Sequence, residues 1–195
     1  AIDVATLLAG NDETPVEPGL HEWLARARPD VVFETTSLNP ETGQPAIQYL
    51  TASLQAGAHT ITANKAPLVY AYDELNDLAV AKGKRFMFEA TVLDSAPVFS
   101  LFRETLPAAK LRAFSGAFNS TTNVILETME AGRSFAEGVK TAQELGVAET
   151  DPTHDIEGWD SIMKVCAIAR VILGAPLLPV EVRREGIRDL DAARA

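Results

Sequence analysis

Val31-Val32-Phe33-Glu34-Thr35-Thr36 is built almost wholly from β-branched and aromatic residues and follows the turn-forming pair Pro29-Asp30. Such residues suit a pleated, packed surface, and a run this short reads as a buried strand. Two runs of the same kind lie downstream, His59-Thr60-Ile61-Thr62-Ala63-Asn64 and Phe86-Met87-Phe88-Glu89-Ala90-Thr91-Val92. Helical patterns separate them, over about 44–56 ending at Gly57 and about 72–81 ending at Gly83, each glycine a suitable left-handed stop. Strands that alternate with helices need crossover connections. The expected fold class is therefore α/β, with a doubly wound parallel sheet in residues 1–94.

The second half changes character. Pro97 opens a short helix to about residue 105, residues 110–118 alternate as a strand would, and 121–130 is helical with a stop at Gly132. Ser134 and Glu137 form a capping-box pattern at the head of a helix that runs to Leu145 and ends at Gly146. A polar loop over 148–157 precedes a strongly apolar helix, Trp159 to Leu173, closed by Gly174 and Pro176; residues 180–187 read as one further strand. Residues 95–195 are thus expected to be an α+β domain, with a boundary near 93–97.

Bulk properties narrow the function. A hydrophobic share of 47% over 195 residues supports a sizeable core. A net charge of -10 disfavours binding to phosphate backbones, so no nucleic-acid partner is expected. No apolar run approaches the roughly 20 residues that span a bilayer. Ala1 to Gly10 lacks the basic flank of a signal peptide, and a single cysteine, Cys166, cannot form an internal disulfide. The expectation is a cytoplasmic protein without membrane contact. The chain opens without Met, 3–8 reads as mid-element, and 187–195 closes no core, so a fragment is expected.

No G-x-G-x-x-G follows a strand here and no G-x-x-x-x-G-K-[ST] phosphate loop occurs, so glycines give no nucleotide signal. If the sheet is Rossmann-type, its first strand lies upstream of Ala1. The informative stretch is Leu145 to Lys164, which carries Glu149, Asp151, Asp155 and Glu157 in a loop and then Asp160 and Lys164 at i,i+4 on the apolar helix. Taken by itself, this reads as a solvated acidic loop and an exposed ion pair worth a few tenths of a kcal/mol. The apolar neighbours Trp159, Ile162, Met163, Val165 and Cys166 argue instead that the lysine is partly buried. Burial disfavours an ammonium while an adjacent carboxylate favours it, and a lysine between these influences is suited to general acid–base work. The carboxylate spacing is not that of an EF-hand, and His154 stands apart from any zinc-ligand pattern. Cys166, mid-helix among apolar residues, reads as core rather than nucleophile.

Gly146 to Lys164 matches G-x-x-E-x-D-P-x-x-D-x-x-G-x-D-x-x-x-K throughout and resembles the signature of homoserine dehydrogenases. Ala63-Asn64-Lys65-Ala66-Pro67-Leu68 resembles the family's A-N-K-x-P-L segment, Glu89-Ala90-Thr91-Val92 its E-A-x-V segment, and Gly116 to Asn123 its G-x-x-N-G-T-x-N turn. Asp94-Ser95 stand where the family often has glycines, and Ser120 replaces the glycine of N-G-T. Both features are similar to the shorter, archaeal-type branch. The resemblance covers essentially the whole chain and implies a missing first strand, glycine loop and second strand, and a missing C-terminal return.

The family's activity is the NAD(P)-dependent interconversion of L-homoserine and L-aspartate 4-semialdehyde in amino-acid biosynthesis. The resemblance implies that residues 1–94 are a partial dinucleotide-binding domain and 95–195 an incomplete catalytic and dimerisation domain. It implies that Lys164 donates and accepts the proton at the substrate oxygen, and that Asp160 and Glu149 bind the amino and hydroxyl end of homoserine with support from Asp155. Lys65 would reach the substrate or the nicotinamide. Thr36, Ser37, Asn64 and Gly146 would contact NADP or NAD, and backbone carbonyls of Glu89 and Val92 would hold a monovalent cation such as sodium. A homodimer is the family's assembly. For Asn119 and Thr121 a turn with a helix cap stands equally beside any functional role. The competing readings are a related NAD(P)-dependent oxidoreductase of another substrate and a non-catalytic oligomerisation module.

Overall fold

The computed structural model describes residues 19–93 and 96–190. The readings made on 1–10 and on Asp94-Ser95 lie outside the described residues. A helix α1 (Leu20–Ala27) leads into strand β1 (Val31–Glu34), helix α2 (Ala46–Gln55) and strand β2 (His59–Thr62). Short helix α3 (Ala66–Tyr70) and helix α4 (Tyr72–Ala81) then return to strand β3 (Phe86–Met87). The strands form one parallel sheet in the order β1-β2-β3, in register Glu34 to Thr62 and Ile61 to Met87. This is the crossover architecture expected from the alternating pattern.

Two details differ from that expectation. The strands are shorter at their C-terminal ends, because residues 63–66 turn into α3 and Glu89–Thr91 winds as a 3-10 turn. Nor is β1 buried on both faces: Val31 is 43% and Phe33 70% exposed. Alternation along the strand sends Val32 and Glu34 toward the covered face, where Thr60 and Phe86 are also buried. The opposite face carries Phe33, Ile61 and Met87 in one register row, with Phe33 and Met87 exposed. The sequence pattern had also given no sign of α1, which packs against α2 through Leu24.

Beyond the sheet, helix α5 (Val98–Ser100) runs into a π-helical turn, Leu101–Thr105. Helix α6 (Ser120–Glu130) and helix α7 (Phe135–Glu144) follow, the latter headed by the capping box of Ser134 and Glu137. Gly138 lets them approach: a Cβ there would meet the Ile125 backbone at 3.0 Å. Helix α8 (Thr153–Ile156) interrupts the acidic loop, and helix α9 (Trp159–Leu173) ends at Gly174 with φ 65°.

Neither strand expected in this half forms. Residues 110–118 are irregular and largely exposed, and 180–187 begin in a 3-10 turn, Pro179–Glu181, and then run without a ladder. A strand exists by virtue of its neighbour, and no described segment lies alongside either stretch to pair with it. The second half is accordingly helical among the described residues.

One core spans both halves. Leu50, Leu54, Leu68, Val69, Leu75 and Phe88 pack with Ile162, Met163, Cys166 and Ala167 of α9. Fully burying side chains of this size stabilises by about 1.5–3 kcal/mol each. A second cluster, Ile125, Met129, Ala142 and Ile156, sits between α6, α7 and α8. The first core matters for function, because it lays the start of α3 along the N-terminal half of α9.

Candidate active site

Packing of α3 against α9 brings Lys65, which precedes α3, to the first turn of α9. There Asp160 holds a lysine on each side. Its Oδ1 lies 3.2 Å from Lys65 Nζ and its Oδ2 lies 2.8 Å from Lys164 Nζ. The three side chains are 16–19% exposed, so the pairs are far less screened than surface ion pairs. Asn119 Nδ2 donates to Asp160 Oδ2 at 2.9 Å and to Asp155 Oδ1 at 2.7 Å. Lys164 Nζ also donates to the Phe118 carbonyl at 2.8 Å. Burial pushes the Asp160 carboxyl up, but the hydrogen bonds from Lys164 and Asn119 and the charges of Lys65 and Lys164 outweigh it. They hold Asp160 below the usual aspartate range.

Asn119 serves two ends at once. Its Oδ1 accepts from Thr122 N at 2.8 Å, the N-cap of α6, while its amide hydrogens bridge two carboxylates. The cap was legible in the sequence. The bridge was not, since its partners stand 36 and 41 positions away. Thr121 is buried, and its hydroxyl donates to the Val147 carbonyl, a purely architectural bond.

Asp151 accepts from Thr153 Oγ1 at 2.6 Å and Thr153 N at 3.1 Å, and these bonds hold its carboxyl below the usual range. Glu157 pairs with Arg188 at 2.8 Å. Glu149, Asp151 and Asp155 line a cleft of about 410 Å³ together with Ser37, Lys65, His154 and Asp160. A second cleft of about 510 Å³ lies on the other side, lined by Lys65, Val92, Asn119, Asn123 and Lys164. Lys65 faces both. A separate cavity of about 250 Å³ near Ile162 and Arg184 includes Asp155 but neither lysine.

The remaining expected positions fall as follows. Thr36 and Ser37 are exposed just beyond the C-terminal end of β1, where ligands of parallel sheets gather. Asn64 is buried, and its amide donates to the Thr36 and Ser37 carbonyls while its Oδ1 accepts from Ala66 N. Gly146 closes α7 with φ 72° and lines neither cleft. The Glu89 carboxylate accepts from Phe99 N and Ser100 N at the head of α5. Cys166 is fully buried, and burial, with some help from Glu181, pushes its thiol up to about 11. Among the described residues no group of three His, Cys, Asp or Glu side chains is placed to hold a metal, and no helix is long and apolar enough to cross a membrane.

The family model for homoserine dehydrogenase matches residues 97–195. The homoserine dehydrogenase of Sulfurisphaera tokodaii is 37% identical over 181 residues, covering 92% of this chain and 59% of that one. The NAD(+)-dependent homoserine dehydrogenase of Pseudomonas canavaninivorans is 38% identical over 161 residues, covering 83% and 46%. A hyperthermophilic archaeal homoserine dehydrogenase mutant in complex with NADPH superposes with a TM-score of 0.82 at 28% identity, covering 96% and 57%. The chain therefore spans about half the length of the relatives it matches.

Proposed function

The chain belongs to the homoserine dehydrogenase family, and we propose that it carries the proton-transfer and substrate-binding machinery for interconverting L-homoserine and L-aspartate 4-semialdehyde with NAD or NADP. The observation that carries this reading is Asp160, held between Lys65 and Lys164 at the junction of two clefts.

The donor set suits the cofactor's nicotinamide half: Thr36 and Ser37 are exposed at the sheet end, and Ser37 lines the first cleft with Lys65. When bound, the cofactor accepts hydride from the alcohol carbon or returns it to the aldehyde. Lys164 handles the proton. In oxidation its neutral amine takes the hydroxyl proton as the C–H bond transfers hydride; in reduction its ammonium returns that proton to the developing alkoxide. The bonds to Asp160 and to the Phe118 carbonyl aim the ammonium and leave a donor for substrate. Lys65 lies beside the same carboxylate and adds positive charge near the oxygen. Glu149 and Asp155 offer carboxylates to the substrate's α-ammonium across the first cleft.

A second assignment exchanges the lysines. Lys65 has one charged partner and opens to both clefts, so it has more donor capacity for substrate. A sodium ion near the Glu89–Val92 turn would meet main-chain carbonyls, because the Glu89 carboxylate is committed to two amides. A homodimeric, cytoplasmic enzyme completes the proposal.

The deciding experiment is reduced-cofactor formation with L-homoserine at alkaline pH, using the full-length protein with NAD and with NADP. Turnover with homoserine and none with serine or threonine establishes the activity and its cofactor. A folded protein inert with both cofactors overturns it.

A further inference from the structure

Glu34 is a carboxylate at the C-terminal end of β1, only 3% exposed, and no step described so far uses it. A buried charge persists where its acceptor sites are filled. Here Oε1 accepts from Thr36 N at 2.7 Å and from Thr36 Oγ1 at 2.5 Å, and Oε2 accepts from Thr62 Oγ1 at 2.6 Å. Thr62 Oγ1 in turn accepts from Asn64 N at 2.9 Å. Asn64 reaches back to the Thr36 and Ser37 carbonyls, so the network closes on itself between the ends of β1 and β2.

The direction of these bonds has a chemical meaning. A carboxylate accepts and does not donate, and a threonine hydroxyl has a single proton. Thr36 gives that proton to Glu34, so toward solvent its oxygen presents lone pairs alone. Thr36 is exposed at the sheet end where the proposed cofactor would lie. We infer that Glu34 is a positioning residue that fixes the Thr36 hydroxyl as an obligate acceptor, selecting a hydrogen-bond donor, a hydroxyl or a carboxamide, on the nicotinamide half of the cofactor. This inference rests on the cofactor reading above. The nearby negative charge disfavours a phosphate at the same place.

The test is equilibrium binding to the full-length protein. The probes are NADH or NADPH and the matching adenosine half, ADP or its 2′-phosphate. Glu34→Met keeps the approximate shape, removes both acceptor oxygens and frees the Thr36 proton. It should weaken the dinucleotide by up to about tenfold, the upper size of one neutral hydrogen bond, and leave the adenosine half unchanged. Unchanged binding of both probes, or equal loss of both, overturns the inference. Thr36→Val, which lacks the oxygen, is the second variant. It should reproduce the selective loss, and unaltered dinucleotide binding would overturn the inference even if Glu34→Met fails to fold. A wild-type protein that binds neither probe would instead sink the cofactor reading itself.

Discussion

Lys65 and Lys164 share the carboxylate of Asp160, one on each oxygen, at 3.2 and 2.8 Å. The second cleft is lined by both lysines and by no carboxylate, so its wall presents positive charge, which suits a developing alkoxide. The two lysines differ in their remaining bonds, and that difference can be measured. Lys164→Ala is expected to lower kcat by about 10²–10⁴ with cofactor affinity little changed, the usual size of a general acid–base effect. If Lys65→Ala gives the larger loss and Lys164→Ala raises only KM, the proton belongs to Lys65. Steady-state kinetics on both variants separates the two.

Asp160 is held below the ordinary aspartate value of about 3.9. Its contribution to stability is thus present above that value and is lost as pH falls through the lower folded one. Asp160→Asn removes that contribution and leaves two lysines without their partner, at about 1–3 kcal/mol near neutral pH. The thermal midpoints of wild type and variant should differ most above the ordinary aspartate range and converge as pH falls below it. A gap that stays constant with pH would show that the destabilisation has another origin.

Asn119 can be dissected because its two roles use different atoms. Asn119→Ser keeps a cap for α6 but cannot bridge Asp155 and Asp160, whereas Asn119→Ala loses both. The alanine variant should be less stable than the serine variant by about 1 kcal/mol, while kcat/KM falls comparably in the two. Denaturant melts paired with kinetics give the answer, and full activity in Asn119→Ser would remove the bridge from the working site.

Cys166 lies in the shared core with its thiol pushed up to about 11. At pH 8 its thiolate fraction is about one in a thousand even before access is considered. The native protein should resist a thiol reagent at that pH and react fully once unfolded, and Cys166→Ala should keep homoserine turnover. Rapid native labelling, or lost turnover in a folded variant, would reopen a thioester route.

Much of this was legible in the residues. The helix from Trp159 to Leu173 announces itself by its apolar face and Gly174, the α7 cap by Ser134 and Glu137, and the parallel sheet by alternation of runs. Segments 110–118 and 180–187 were misread because alternation reports a propensity, while a strand requires a neighbour that the local sequence cannot name. Glu34 was invisible for a related reason. Inside an apolar run it looked like a tolerated polar residue, and one of its partners, Thr62, stands 28 positions away. Lys164 and Asp160 were found through their spacing on one helix; Lys65 came from motif resemblance, and no periodicity points from it to α9.

The distance along the chain between the site's members sets an entropic term. Asn119 and Asp160 close a loop of 41 residues, and Lys65 and Asp160 close one of 95 (160 minus 65). Loop-closure entropy grows with the logarithm of length, so the longer closure costs only about 0.7 kcal/mol more than the shorter. Exposed residues 103–110 lie inside the longer loop and touch neither cleft. Ten residues inserted there would add only about 0.1 kcal/mol to the closure. The lysine that faces both clefts is therefore tethered loosely by the chain and tightly by the core, and it is packing of α3 on α9, not contour length, that decides where its charge sits.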